Sequence, residues 1–213
     1  GCARLCDMSC LVWLEQMQEL DISGCTGIDA TTVAKVVAEH RTLSTLIFGD
    51  EMCEPATLEV GMTEVDFSRK ALQVKGAMIL SAWITHKDKG ALSVLSLKDN
   101  KLASKEGGKA LAQALANNST LKELDVSSNV WNEYSDNSGA WLGDGSGFAQ
   151  ELAVGIKDNG TMTSLDLASN GLGAEGTKIV AEAIKVMKCT PAIILVPFSC
   201  PSDFSINCCC LLL

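Results

Sequence analysis

Three stretches of this 213-residue chain superimpose on one another: Leu92 to Leu102, Leu121 to Trp131 and Met162 to Leu172. Each fits L-x-x-L-x-L-x-x-N-x-L, with Met, Val or Trp in some of the Leu places and Asn100, Asn129 or Asn170 in the Asn place. Looser copies precede them: Met17-Leu20-Ile22 with Cys25 in the Asn place, Leu43-Leu46-Phe48 with Glu51, and Met62-Val65-Phe67 with Lys70. A degraded copy begins at Pro191, with Ile194 and Val196. Copies therefore start at 17, 43, 62, 92, 121, 162 and 191. A unit this short cannot bury its own apolar face, so the units must stack and share one continuous core.

The residue types say what one unit is. Around L-x-L the side chains alternate, so the Leu residues point inward and the x residues face solvent. An Asn side chain can bond backbone groups where the chain turns out of the strand, which an apolar residue cannot do. Parallel pairing needs a long return, and a helix supplies it. Its buried face is visible in pairs four apart: Val33 and Val37, Leu80 and Ile84, Leu111 and Leu115, Leu152 and Ile156, Val180 and Ile184.

The run Asn170-Gly-Leu-Gly-Ala-Glu-Gly176, followed by Val180 and Ile184, resembles the ribonuclease-inhibitor type of leucine-rich repeat. That type also occurs in NOD-like receptors and in the GTPase-activating protein for Ran. The resemblance covers about residues 14–190 and is sharpest over 91–190. It implies an α/β leucine-rich repeat solenoid of about six to seven repeats, a curved horseshoe with parallel strands on the concave face and helices on the convex face. Residues 1–190 form that domain, and 191–213 form a degenerate last repeat and a tail. Two places break the rhythm. Between Leu43 and Met62 there is no room for a helix, and Ala56 to Val60 reads as an extra strand, giving a hairpin at about 46–60. The stretch 131–148, rich in Gly, Ser, Asp and Asn, is an inserted loop.

The chain is 47% hydrophobic, so it buries a substantial core, and its 17 Lys and Arg against 26 Asp and Glu leave a net charge of −9. That balance argues against a nucleic-acid partner and favours a basic partner or a cation. The outward strand positions concentrate the acid. Of Asp21, Ile47, Asp66, Ser96, Asp125, Asp166 and Glu19, Thr45, Glu64, Val94, Glu123, Ser164, seven are acidic and none is basic. Glu19, Asp21, Glu64, Asp66, Glu123, Asp125 and Asp166 are thus candidate partner-binding residues, weighed against a plain role in keeping an exposed sheet soluble.

Tyr134 and Trp141 in the inserted loop are a second candidate contact, since aromatic side chains on loops anchor interfaces. Cys210-Leu-Leu-Leu213 fits a prenylation signal, with Cys208 and Cys209 as sites for a second lipid. The expected compartment is the cytoplasm, with membrane attachment only through Cys210. No C-x-x-C pair occurs among the ten cysteines, which read as buried thiols, and neither a metal site nor a cofactor is expected. His40 and His86, near helix ends, read as surface residues. The sequons at Asn117, Asn118 and Asn159 fall at helix-to-strand corners, where turn chemistry explains them. Gly107-Gly108-Lys109 lacks the Ser or Thr of a phosphate loop.

A non-catalytic binding scaffold is the leading expectation. Its rivals are a GTPase-activating or other regulatory role, for which Arg69 is the best-placed arginine, and a structural piece of a larger assembly. The last gains from the incomplete repeat over Gly1 to Leu14 and the degenerate one from Pro191, neither of which reads as a polar cap.

Overall fold

The computed structural model describes residues 14–25, 27–86, 88–89, 91–130 and 145–187, with the backbone of 193–195. Strands and helices alternate as β1 (Glu19–Asp21), α1 (Ala30–Glu39), β2 (Thr45–Phe48), β3 (Ala56–Glu59), β4 (Glu64–Asp66), α2 (Gln73–Thr85) and β5 (Val94–Ser96). They continue as α3 (Lys105–Asn117), β6 (Glu123–Asp125), α4 (Ser146–Asp158), β7 (Ser164–Asp166), α5 (Gly173–Lys185) and β8 (Ile193–Leu195). Every strand except β3 begins two residues after a repeat start read from the sequence. All ten helix residues paired above are buried.

The Asn positions form a ladder that runs between units. Asn129 Nδ2 donates to Val126 O at 2.8 Å and Ser127 O at 3.1 Å in its own turn, and to Leu97 O at 3.0 Å in the unit before. Its Oδ1 accepts from Asn100 N at 2.8 Å and Leu102 N at 3.3 Å. Asn100 repeats this toward Phe67 O, Lys70 N and Leu72 N, and Asn170 toward Val126 O and Asn129 N. The turns themselves are copies: Gly24, Arg69, Asp99, Ser128 and Ser169 occupy the same place and all have φ between 56° and 66°.

A second set of side chains stitches the opposite corner. Asn118 Nδ2 donates to Ile84 O and Asn159 Nδ2 to Leu115 O, each at 2.9 Å and each reaching the last turn of the preceding helix. His40 has the same place after α1 and bonds Leu14 O through Nε2 at 2.8 Å. It is 3% exposed, so its expected surface position is corrected: the ring replaces Asn as a corner group. His86, half-buried, stands in the corner place after α2, and there Lys89 reaches the preceding helix instead, its Nζ bonding Val37 O at 2.9 Å and His40 O.

The strands form two sheets, β1-β2-β3 and β4-β5-β6-β7-β8. All neighbours are parallel except β2 and β3, which pair antiparallel from Thr45 opposite Glu59 to Phe48 opposite Ala56. With β3 on the edge of β2, β4 pairs with no strand on that side among the described residues. The Asn ladder ends at the same place, because Lys70 occupies the Asn position of the β4 unit and its Nζ binds Glu54 Oε2 at 2.6 Å. Packing and lysine side-chain bonds cross the break where strand pairing does not. One core runs from Leu20 to Ile184, and Phe48 meets Phe67 edge-on with ring centroids 6.0 Å apart.

Helices α3 and α4 approach too closely for side chains at their contact. A Cβ on Gly155 would lie 2.4 Å from Ala112 O, and one on Gly108 would lie 2.6 Å from Phe148 O. Gly108 is thus required by packing, which agrees with setting aside a phosphate-loop reading. Phe148, taken from the sequence as the end of the inserted loop, is a wholly buried residue of α4.

Candidate protein-binding face

The register fixes which acidic residues stand together. Asp66, Ser96, Asp125 and Asp166 are consecutive partners across β4 to β7 and form one row of about 14 Å at the usual parallel-strand spacing. The adjacent row runs Glu64, Val94, Glu123, Ser164, so Val94 separates its two acids. Glu19 and Asp21 lie on the other sheet, opposite Thr45 and Ile47. The single shared surface expected from the sequence is therefore divided between two sheets. The smaller one gains an acid that the strand pattern missed: Glu59 of β3, exposed, faces Thr45 and extends the Glu19 row. Its signal was present in the extra strand, but an antiparallel partner shifts which residues face outward.

Glu19, Asp21, Glu64, Asp66 and Glu123 are exposed, and Asp125 and Asp166 are half-buried. The aspartates also have local work. Oδ1 of Asp21 and of Asp66 accepts from Ser23 N and Ser68 N at 2.9 Å, and Oδ1 of Asp125 and of Asp166 accepts from Ser127 N and Ala168 N at 2.8 Å. Each bond closes an Asx turn that carries the chain out of its strand. The spacing Asp-x-Ser at 21–23, 66–68 and 125–127 is the sequence signal for it. Ser68 Oγ also bonds the Asp66 carboxylate and lies 2.9 Å from Ser96 Oγ. That hydroxyl bond, then the Ser68 N–H, hold the Asp66 carboxyl below its ordinary range, so it stays ionised at neutral pH.

Charge and turn roles separate by substitution. Asp125→Ala should cost about 1 kcal/mol in urea unfolding, because Ser127 N–H loses its acceptor. Asp125→Asn keeps an acceptor oxygen and should stay within about 0.5 kcal/mol of the wild type. Equal losses for both would show that the carboxylate charge, not the turn, stabilises this site.

Tyr134 and Trp141 lie outside the described residues, as do Cys208, Cys209 and Cys210. Cys25 and Cys53 are half-buried, where buried thiols were expected. Asn118 and Asn159 are 8% and 1% exposed, which leaves those sequons inaccessible in the folded chain. Arg69 is exposed and pairs with Asp99 at 3.6 Å. Among the described residues, no group of three or more His, Cys, Asp and Glu is placed to hold a metal ion, and no helix is long and apolar enough to cross a membrane.

Residues 117–130 and 158–178 match the family model described as Leucine Rich repeat. These stretches hold β6 and β7, their Asn turns, and the corner asparagines Asn118 and Asn159. The fold is similar to that of the leucine-rich repeat-containing protein LegL7 from Legionella pneumophila, at 15% identity and a TM-score of 0.44 over 84% of this chain. The chain spans 45% of the LegL7 chain's length. The tropomodulin C-terminal domain of Caenorhabditis elegans matches at 13% identity and a TM-score of 0.33, over 75% of this chain and 93% of that one. No curated protein sequence matches the chain. The chain thus matches the Leucine Rich repeat family model over two of its units, and the Asn ladder joins those two units.

Proposed function

We propose that the protein is a non-catalytic scaffold that binds the basic surface of another protein along its strand face. Leucine-rich repeat proteins are generally protein-interaction scaffolds, and a curved solenoid of this kind offers an extended surface without needing chemistry. The observation that carries the reading is the unbroken row Asp66, Ser96, Asp125, Asp166, flanked by Glu64 and Glu123, with no basic side chain among its strand positions. Such a row focuses its field on whatever docks there and selects a cationic partner. Glu19, Asp21 and Glu59 extend the acidic surface onto the smaller sheet. Tyr134 and Trp141 of the inserted loop are candidate aromatic contacts for the same partner.

The test compares the wild type with the Asp66→Asn, Asp125→Asn, Asp166→Asn triple variant, whose asparagines preserve the turns. Partners captured from source lysate should be lost from the variant, with affinity for an isolated partner about tenfold weaker or more. Wild-type binding should weaken as salt rises. A partner held equally by both proteins, at low and high salt alike, refutes the acidic face as the binding surface.

A further inference from the structure

Among the outward positions of β4 to β7 one is apolar: Val94, half-buried in the row between Glu64 and Glu123. The carboxylates around it differ in how far the fold already uses them. Asp66 accepts from both the N–H and the hydroxyl of Ser68, and that hydroxyl also reaches Ser96 Oγ. Asp125 and Asp166 each accept one backbone N–H through Oδ1, that of Ser127 or of Ala168. Ala168 has no hydroxyl to offer. Ser127, 3% exposed, has its Oγ bonded neither to Asp125 nor to any other group among the described residues. The ion pairs among the described residues engage Asp99, Glu54 and Glu151 and leave the acids of this face out. Asp125 and Asp166 are therefore adjacent, half-buried acids, each with an oxygen in reserve. Two such charges side by side are screened less than in open water, and a cation laid across them relieves their repulsion.

The spacing of the row selects the backbone that carries the cations. Strands about 4.8 Å apart put Ser96, Asp125 and Asp166 at about 5, 10 and 14 Å from Asp66. On an α-helix, positions i+4, i+7 and i+11 share a face with i and lie about 6, 10.5 and 16.5 Å along it. Each falls within about 2 Å of its place in the row, a mismatch that the flexible stem of a Lys or Arg absorbs. An extended chain repeats one face about every 6.8 Å, which sets its second residue between Ser96 and Asp125. On the helix, position i+3 lies to one side of the stripe at about 4.5 Å, level with Val94 in the adjacent row. We propose that this face binds an α-helix laid across β4 to β7, with cations over Asp125 and Asp166 and an apolar side chain on Val94. The inference rests on the strand face being the binding surface and assigns it a helical partner segment.

The probes are three fluorescent Ala-based peptides of about 18 residues, long enough to be helical, with the full chain titrated into each at low salt. The first carries Lys at i, i+4, i+7 and i+11 and Leu at i+3. The second spreads the same residues around the helix, and the third is the first with Pro at its centre. By anisotropy, the first should bind about tenfold tighter than either of the others. Asp125→Asn and Asp166→Asn, which keep the turn acceptors, should each weaken it about fivefold or more, and Asp66→Asn less than about twofold. Val94→Ser should weaken the first peptide about threefold and leave the second unchanged. Equal, salt-sensitive binding of all three peptides overturns the helix and leaves the acidic face standing. Binding of none of them at low salt overturns both.

Discussion

Asn129→Ala should lower the stability of the protein by about 4 kcal/mol, the steepest loss expected from any polar substitution described above. Asn129 is fully buried and makes five hydrogen bonds to backbone groups of two successive units. Truncation to Ala would take the partner from Asn100 N, Leu102 N and Leu97 O, whereas Val126 O keeps Asn170 Nδ2 and Ser127 O keeps Asp99 N. A typical protein hydrogen bond contributes about 1 kcal/mol net, but a buried group left without a partner costs about 1–3 kcal/mol. Asn117→Ala is the control, since its exposed side chain bonds only Gln113 O of its own helix. That variant should stay within about 0.5 kcal/mol of the wild type. Urea unfolding at equal m-value measures both. A loss below about 1 kcal/mol for Asn129→Ala would mean that water replaces the amide and that the ladder is not what joins the units.

Between pH 8 and 10.5 the wild type should gain stability, on the order of 1–2 kcal/mol once solvent screening is allowed for, relative to Lys89→Met. Burial pushes the Lys89 ammonium down from 10.5 to about 8, and the nearby Asp88 carboxylate opposes this only in part. Across that interval the unfolded chain binds a proton at this residue that the folded chain does not, so raising the pH favours folding. Below about pH 8 both states are protonated, and above 10.5 neither is, so the contribution is flat on both sides. Lys89 is 3% exposed, packs 5.4 Å from the centroid of the Trp83 ring and holds Val37 O and His40 O. Met keeps the apolar stem without the titrating group. Urea unfolding of both proteins from pH 7 to 10.5 gives the difference curve. A flat difference would show that water reaches the ammonium and that the corner is open.

Much of this was readable in one dimension because the signals are local. The period of two around Leu95, Leu124 and Leu165 names the strands, and the four-residue pairs such as Leu152 and Ile156 name the helix faces. The Asn positions announced a turn that needs side-chain bonds, and the structure supplies their partners. The aspartate turns were legible too, in Asp-x-Ser, but charge drew attention away from that second role. Lys89 carried no such mark. A lysine four residues past a helix reads as surface, and it is buried because His86 stands where a corner Asn would otherwise reach the previous helix. His40 was misplaced for the same reason, since its partner Leu14 O lies 26 residues away.

The sequence by itself determined the units: where each strand begins, which helix face turns inward, and that a side chain must close each turn. Those choices depend on the neighbours of a residue along the chain, and periodicity records them. Only the tertiary structure decided how the units join. Whether β4 or β3 lies beside β2 is a competition for one strand edge, and its outcome divides the acidic residues between two sheets. The Asn ladder ends at this same break, at Asn100, because Lys70 stands in the next Asn place. An edge can accept only one partner, and no pattern within a single unit says which segment of the folded chain will reach it first.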